Sequence, residues 1–422
     1  MQNTKRTNSK SSYLLLLCWL VYTCSYIGKL SYNANIIEIE EAYNVSHDLA
    51  GMISSFFFFA YGIGQVVNGF LCKRYNIKYV IFTSLIVASA MNVLVPLSTS
   101  FDVIKYLWLI NGIAMSFLWT SIIRLLSETL PKEDIRRSIV VMGTTVATGT
   151  FIVYGLSALL SYLELFRATF FIAASLMVTV AIGWLIFYTP LVKSLKKEKD
   201  LEEKEVIKTA STLNKTDYRP PLFLLIIVLS FFSVANNFVK DGLTTWTPAI
   251  LDNLYSTPDW LSIILTLLLP TMAIGGTVVA VNVQKKVKDF VFTSLILFSG
   301  AALLFGLVNI LVRAETSILS LIITIVSFAV VSCLMAGVNN VTTGMVPLYE
   351  SDRMNSGKLA GILNGFCYLG STISSYGLGF IADKWDWNAV FITLLIVCAV
   401  IIAIGLSYVI PTFIHRKLQS KK

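Results

Sequence analysis

Apolar windows of about 20 residues, the length a helix needs to cross a roughly 30 Å hydrocarbon core, return throughout this 422-residue chain. Twelve of them fall near residues 12 to 36, 49 to 72, 79 to 97, 104 to 127, 138 to 159, 168 to 189, 221 to 251, 260 to 282, 290 to 311, 317 to 338, 357 to 381 and 388 to 411. That recurrence predicts an all-α polytopic membrane protein with twelve transmembrane helices. Composition agrees: 56% of residues are hydrophobic and 14% charged, against about 25% charged in an average soluble domain. A mean hydropathy of +0.74 over the whole length excludes a soluble multi-domain protein with a single anchor, a disordered chain and a nucleic-acid-binding chain.

The formal charge is +9, and the basic residues are distributed by side. With a cytoplasmic N-terminus, the inner segments hold 26 of the 33 Lys and Arg, and the outer loops hold four, Lys105, Arg167, Arg313 and Lys384. Lys29, Arg124 and Lys240 lie within helices. This bias predicts both termini on the cytoplasmic side. The first outer loop carries Glu38, Glu40, Glu41 and Asp48 without any Lys or Arg, so that face is locally acidic. The basic KRTNSK segment before YLLLLCWLVY resembles a signal peptide, but the apolar pattern continues without a small-residue cleavage site and reads as an uncleaved first span. Cys18, Cys24, Cys72, Cys333, Cys367 and Cys398 all fall in or at the edge of helices, without paired spacing, and read as small apolar packers.

One long polar stretch, KSLKKEKDLEEKEVIKTASTLNKTDYRPP, divides the chain. The predicted organisation is an N-terminal six-helix bundle over 1–189, a cytoplasmic linker with an amphipathic helix over 190–220, and a C-terminal six-helix bundle over 221–422. The two halves repeat each other. Lys29 and Lys240, Asp48 and Asp259, Gly64 and Gly275, and Arg74 and Lys285 are each 211 residues apart. FTSLI occurs at 82–86 and again at 292–296, and Tyr154-Gly155-Leu156 recurs as Tyr376-Gly377-Leu378. A six-helix unit duplicated in parallel is the plan of transporters that bind substrate between two halves near the bilayer midplane.

Polarity is concentrated in particular helices. The sixth and twelfth spans are nearly all apolar, whereas the first, second, seventh and eleventh carry polar residues three or four places apart, hence on one helical face. Such faces line a cavity or a helix contact, because presenting them to lipid is costly. A basic side chain in mid-membrane costs at least about 2.5 to 3.5 kcal/mol on insertion scales, which makes Lys29 and Lys240 functional candidates. Asp241 follows Lys240 directly, and a local salt bridge between them, or a lysine reaching the headgroups, is the alternative; adjacent residues project roughly 100° apart, so the leading expectation is a doubly positive cavity that lacks an anion. Tyr26, Asn33, Tyr61, Trp119, Asn236, Asn237, Trp246, Asn364 and Tyr368 are the candidate cavity walls. Asp241 is a candidate for coupling. Arg124 and Glu128, four residues apart near the inner end of the fourth span, form a candidate gate or a simple i to i+4 ion pair.

His47 and His415 are the only histidines, no His, Cys or acidic cluster has metal-ligand spacing, and no phosphate-cradling loop is present. The reading is a non-enzyme without cofactor or metal, whose partners are a small anionic substrate and the lipid bilayer, with a monomer sufficient for function.

The two halves, the charged linker and the basic inner loops after the second and eighth spans resemble the major facilitator superfamily over essentially the whole chain. Within it, SYIGKLSYNANI, FFFFAYGIGQVVNGFLCKR and FVKDGLTTWTPAIL are similar to the organophosphate:phosphate antiporter family, which includes glycerol-phosphate and hexose-phosphate transporters. The resemblance implies a substrate-binding basic residue at Lys29 and at Lys240, the second followed by Trp246-Thr247-Pro248, and a bacterial inner-membrane location. Two features depart from the family. Arginine stands at both basic positions in its characterised members, and lysine keeps the charge but loses the bidentate fork suited to phosphate. The superfamily's Gly-x-x-x-Asp-Arg-x-Gly loop is replaced by Gly69 followed by Lys73, Arg74 and Asn76. The leading expectation is therefore a secondary transporter of a small organic anion, organophosphate-like or carboxylate, working by anion exchange and alternating access. Proton-coupled anion symport and a non-transporting membrane sensor of an anionic metabolite are the alternatives.

Overall fold

The computed structural model describes residues 2–71, 74–130, 132–202, 221–314, 317–350, 353–354 and 356–419. The N-terminal half begins with α1 (Gln2–Ala34), a short α2 (Ile36–Tyr43) and α3 (His47–Leu71). It continues through α4 (Ile77–Leu97), α5 (Phe101–Thr129), α6 (Lys132–Tyr162) and α7 (Ala168–Glu202). The C-terminal half opens with α8 (Leu222–Tyr255) and a broken span formed by α9 (Asp259–Thr266), α10 (Leu268–Ala273) and α11 (Gly276–Val287). Then come α12 (Phe290–Ala314), α13 (Ile318–Asn339), a π-helical turn (Asn340–Met345), α14 (Val346–Tyr349), α15 (Ser356–Lys384) and α16 (Trp387–Gln419). This is the expected all-α architecture of two six-helix bundles. The first span is longer than its apolar window, and it ends at a bend on Asn35 instead of running to residue 36. Of the predicted linker, α7 continues through Pro190 to Glu202; residues 203–220, including most of the expected amphipathic segment, lie outside the described residues, as does Cys72.

Among the described residues, eleven helical stretches are long and apolar enough to cross a membrane. The remaining crossing is α15, whose hydropathy is lowered by the polar face carrying Asn364, Ser371, Thr372, Ser374 and Ser375. That face is covered by protein: α15 packs most extensively against α3, from the other bundle, and then against α8. The apolar helices take the opposite place. The most apolar window of α1 is 78% buried inside the molecule, whereas those of α7 and α16 are 33% buried, so the latter two present their sides to lipid. The other cysteines predicted as packers, Cys18, Cys24, Cys333, Cys367 and Cys398, are free and buried.

Two ends of the molecule are distinguished by charge. Glu38, Glu40, Asp48, Asp252, Asp259 and Asp383 cluster at one end, here called the acidic face, and Arg74, Lys78, Lys285 and Lys286 mark the other. At the acidic face the two halves are tied together. Asn33 Nδ2 donates to Thr245 Oγ1 at 2.8 Å, and the Tyr154 hydroxyl donates to the Thr244 carbonyl at 3.0 Å. Both N–H groups that open α3, those of His47 and Asp48, donate to the carboxylate of Asp383 on α15 at 3.2 and 2.7 Å. A carboxylate at a helix N-terminus satisfies orphan donors and meets the positive end of the helix dipole. Here the capping carboxylate belongs to the other half.

Candidate functional site

Lys29 sits inside the protein, 6% exposed, about midway along the membrane-crossing helices that surround it. Its Nζ lies 4.5 Å from the ring centroid of Tyr61, 4.9 Å from Tyr26 and 5.0 Å from Tyr368, with Phe58 at 5.5 Å and Phe57 at 5.7 Å. Ring faces carry negative quadrupole density, and a desolvated ammonium over one of them gains about 2 kcal/mol or more. Four of the rings come from the N-terminal half and the fifth, Tyr368, from α15. The fifth reaches the site because Gly62 faces it: a Cβ at Gly62 would stand 2.8 Å from the Tyr368 Cβ. Among the described residues no carboxylate pairs with Lys29.

Lys240 is different. Its Nζ stands 3.3 Å from Asp241 Oδ1, which corrects the expectation of a doubly positive cavity. The roughly 100° between neighbouring positions applies to the helix backbone, and the four-carbon lysine stem is long enough to swing back across it. Asp241 is anchored on its other oxygen by Asn237 Nδ2 at 3.0 Å and by the Ser371 hydroxyl at 2.5 Å. Asn237 also donates to Ser371 at 3.1 Å and accepts from Asn236 at 3.0 Å. Ser371 lies three residues beyond Tyr368, one turn along α15, so this helix joins the two lysine environments.

The remaining predicted residues divide by location. Tyr26, Tyr61 and Tyr368 form the cage, and Asn236 and Asn237 support Asp241. Trp119 packs at a tilt against Tyr22, ring centroids 4.7 Å apart, and Tyr22 in turn lies edge-on to Tyr26 at 5.3 Å, which makes Trp119 a wall behind the cage. Asn364 donates to Gln65 across the two halves at 3.3 Å. Asn33 and Trp246 are in the acidic-face seam: Asn33 bridges to Thr245, and the Trp246 indole donates to the Ser375 carbonyl at 3.1 Å, beside His47 and Trp387. Arg124 and Glu128 form the i to i+4 ion pair, 2.7 Å. Phe57 and Phe58 were not candidates from sequence, nor were the seam residues His47, Trp387 and Asp383. The phenylalanines are one turn from Tyr61 on α3, but that spacing alone does not tell a lipid-facing ring from one that faces an ammonium. Among the described residues no group of three His, Cys, Asp or Glu side chains could hold a metal ion.

The chain is 22% identical over 404 residues to the membrane sensor protein UhpC of Escherichia coli (strain K12), covering 92% of this chain and 90% of that protein. It is 23% identical over 390 residues to a probable hexose phosphate transport protein of Chlamydia muridarum, covering 86% and 82%. Among solved structures, it superposes on a bacterial homologue of the human lysosomal transporter Spinster, in an inward-facing and unoccupied conformation. The TM-score is 0.72 at 15% identity, over 96% of this chain and 98% of that one. The nucleoside transporter NupG gives a TM-score of 0.68 at 13% identity, over 96% and 99%. At these identities the two structures establish the fold alone. The family profile of the Major Facilitator Superfamily matches residues 18–356, and the chain belongs to that superfamily.

Proposed function

We propose that this protein is a secondary transporter that binds a small organic anion at Lys29 and exchanges it for another anion by alternating access. Membrership of the superfamily supports transport by rocking two bundles about a central site; the anion is inferred from the residues. The observation that carries it is the Lys29 ammonium, buried in mid-membrane against five rings with no carboxylate partner among the described residues. Aromatic faces offset part of its desolvation, but they accept no strong hydrogen bond, and an ammonium has three to donate. A carboxylate, sulfonate or phosphate would supply the missing charge and acceptors. Lys240, Asp241, Asn237, Asn236 and Tyr368 complete the site across the interface. The relatives named for hexose phosphate transport support an anionic substrate, and they favour a bacterial plasma-membrane location.

Exchange is favoured over proton symport because Asp241, the carboxylate beside the site, is already engaged by Lys240, Asn237 and Ser371. The test is flux into proteoliposomes with and without internal anion, under an imposed pH gradient at zero membrane potential. Exchange predicts uptake that requires internal anion and vanishes in Lys29→Ala. Uptake that ignores internal anion, follows the pH gradient and is lost in Asp241→Asn would establish symport. A second reading, a sensor that binds the anion without moving it, is motivated by the similarity to a membrane sensor protein over nearly the whole chain. Saturable binding that depends on Lys29, with no flux in either mode, would establish it.

A further inference from the structure

We infer that the site is built for a monoanion, a carboxylate or sulfonate, and that Asp241 is the residue that excludes dianions such as phosphate monoesters. The inference rests on the proposed anion site at Lys29 and concerns its charge. Lys29 at the Tyr368 ring and the Lys240–Asp241 pair at Ser371, one turn further along α15, together carry two ammonium groups and one carboxylate, which leaves one net positive charge. Asp241 stands within 3.3 Å of Lys240 and receives bonds from Asn237 and Ser371. These anchors belong to α8 and α15, so the carboxylate is part of the packed wall and not a loose side chain able to turn away. The positive charge left uncompensated is Lys29.

A single anionic group meets Lys29 and completes the charge balance. A second negative charge on the same ligand has no such partner. To reach Lys240 it must take that ammonium from Asp241, which leaves a carboxylate only 16% exposed without its cation and beside a like charge, an arrangement that is disfavoured away from bulk water. The carbon body of the ligand faces Tyr26, Tyr61 and Tyr368, whose rings offer stacking area and whose hydroxyls offer polar contacts. Lysine in place of a planar fork fits the same conclusion, since a point charge does not reward the bidentate geometry of phosphate.

Isothermal titration of the purified full-length protein at pH 7.5 with three probes tests this: gluconate and isethionate, each carrying one charge, and glucose 6-phosphate, mostly a dianion because the second phosphate-ester pKa is about 6. The expected result is tighter binding of the monoanions by about tenfold or more, the scale of one unpaired charge in a partly screened site. Asp241→Asn, which preserves shape, raises the net charge by one and is expected to invert the order. The wild-type ranking is decisive without the variant, so a folding defect in Asp241→Asn does not shield the inference. Glucose 6-phosphate bound as tightly as the monoanions by wild type, or a ranking that a folded Asp241→Asn leaves unchanged, overturns the inference and leaves the anion site standing. No binding of any probe, or binding that Lys29→Ala leaves intact, removes the anion site and the inference with it.

Discussion

Two glycines from opposite halves hold the acidic-face seam around Trp246, and a single methyl group at either is predicted to force it open. A Cβ at Gly51 of α3 would stand 2.0 Å from the Ser375 carbonyl oxygen and 2.6 Å from Trp246 Cζ2. One at Gly379 of α15 would meet Trp246 Cζ2 at 2.6 Å and the His47 carbonyl oxygen at 2.7 Å. Rotation of a side chain does not relieve either clash: the carbonyls are backbone, and the fully buried indole is tied to Ser375 and packed near His47 and Trp387. Overpacking of this kind costs about 1 to 3 kcal/mol. Because the contacts join the two halves, separating the halves removes the cost, and the open population is expected to rise about 5- to 150-fold. Thr245 is 1% exposed and pairs with Asn33 in the seam, so a Thr245→Cys reporter should react with a maleimide only when the seam parts. The labelling rate in purified protein is expected to rise at least about fivefold in Gly51→Ala and Gly379→Ala. Gly155→Ala is the control, since a Cβ there meets nothing within 4 Å. Equal rates in folded Gly51→Ala, Gly379→Ala and Gly155→Ala proteins would refute the seam.

Asp383→Asn removes the charged cap that α15 lends to α3, is expected to weaken the seam by about 0.5 to 2 kcal/mol, and should raise labelling of the same reporter; an unchanged rate would assign the cap no role in closure. Lys29→Met exchanges a caged ammonium for an apolar chain, so thermal stability should hold or rise by about 1 kcal/mol, the excess of the insertion cost over the cation–π gain, while anion binding is lost; destabilisation beyond 2 kcal/mol would make Lys29 a structural residue. Burial pushes the Glu38 carboxyl up to about 7 from its ordinary 4.5, with Asp259 and Glu41 adding to the rise and Ser161 opposing it, and burial raises Glu40 against the hydrogen bond from His47. The folded state therefore binds a proton that the unfolded chain releases, so stability is greatest below the unfolded value and falls as pH rises from about 4.5 through 7, by at most about 3 kcal/mol for Glu38. Melting scans between pH 5 and 8 on wild type and Glu38→Gln check this, and a slope that the variant does not flatten would show that Glu38 is not its source.

The crossings were legible because bilayer thickness imposes one length on every span, and a run of about 20 apolar residues is unmistakable at that length. α15 was legible although it fails the same standard, because its polar residues recur on one helical face and its Tyr376-Gly377-Leu378 repeats a motif of the first half. The bend at Asn35 was hidden. IIEIEEAY after it continues an amphipathic helical pattern, and hydropathy does not register a change of axis. Arg124 and Glu128 paired as their spacing required, since both charges project from the same side of one helix.

The site was half legible, and its unread half lies in contacts that helical spacing does not encode. A charge in mid-membrane is rare enough to identify Lys29 and Lys240 at once. Phe57 and Phe58 lie inside FFFF, where an apolar residue facing lipid and one facing an ammonium look the same. Repeat symmetry was the more misleading signal. It set the two lysines as equals, yet one is surrounded by rings and the other is paired with the residue beside it. Duplication places side chains at equivalent positions; it does not give them equivalent neighbours, and the charge of a site is a property of the neighbours. This inequality bears on how binding couples to motion. Four of the rings around Lys29 move with the N-terminal half and Tyr368 moves with the other, so in the closed arrangement the caged ammonium already joins the halves. Under the proposed anion exchange, an anion drawn to Lys29 would compete for the same ammonium, weaken its hold on Tyr368 and replace it with contacts to Asn237, Lys240 and α15. The proposed ligand would then act on the interface through one charge, and a second charge would act on Asp241 instead, against the packing of α8 on α15.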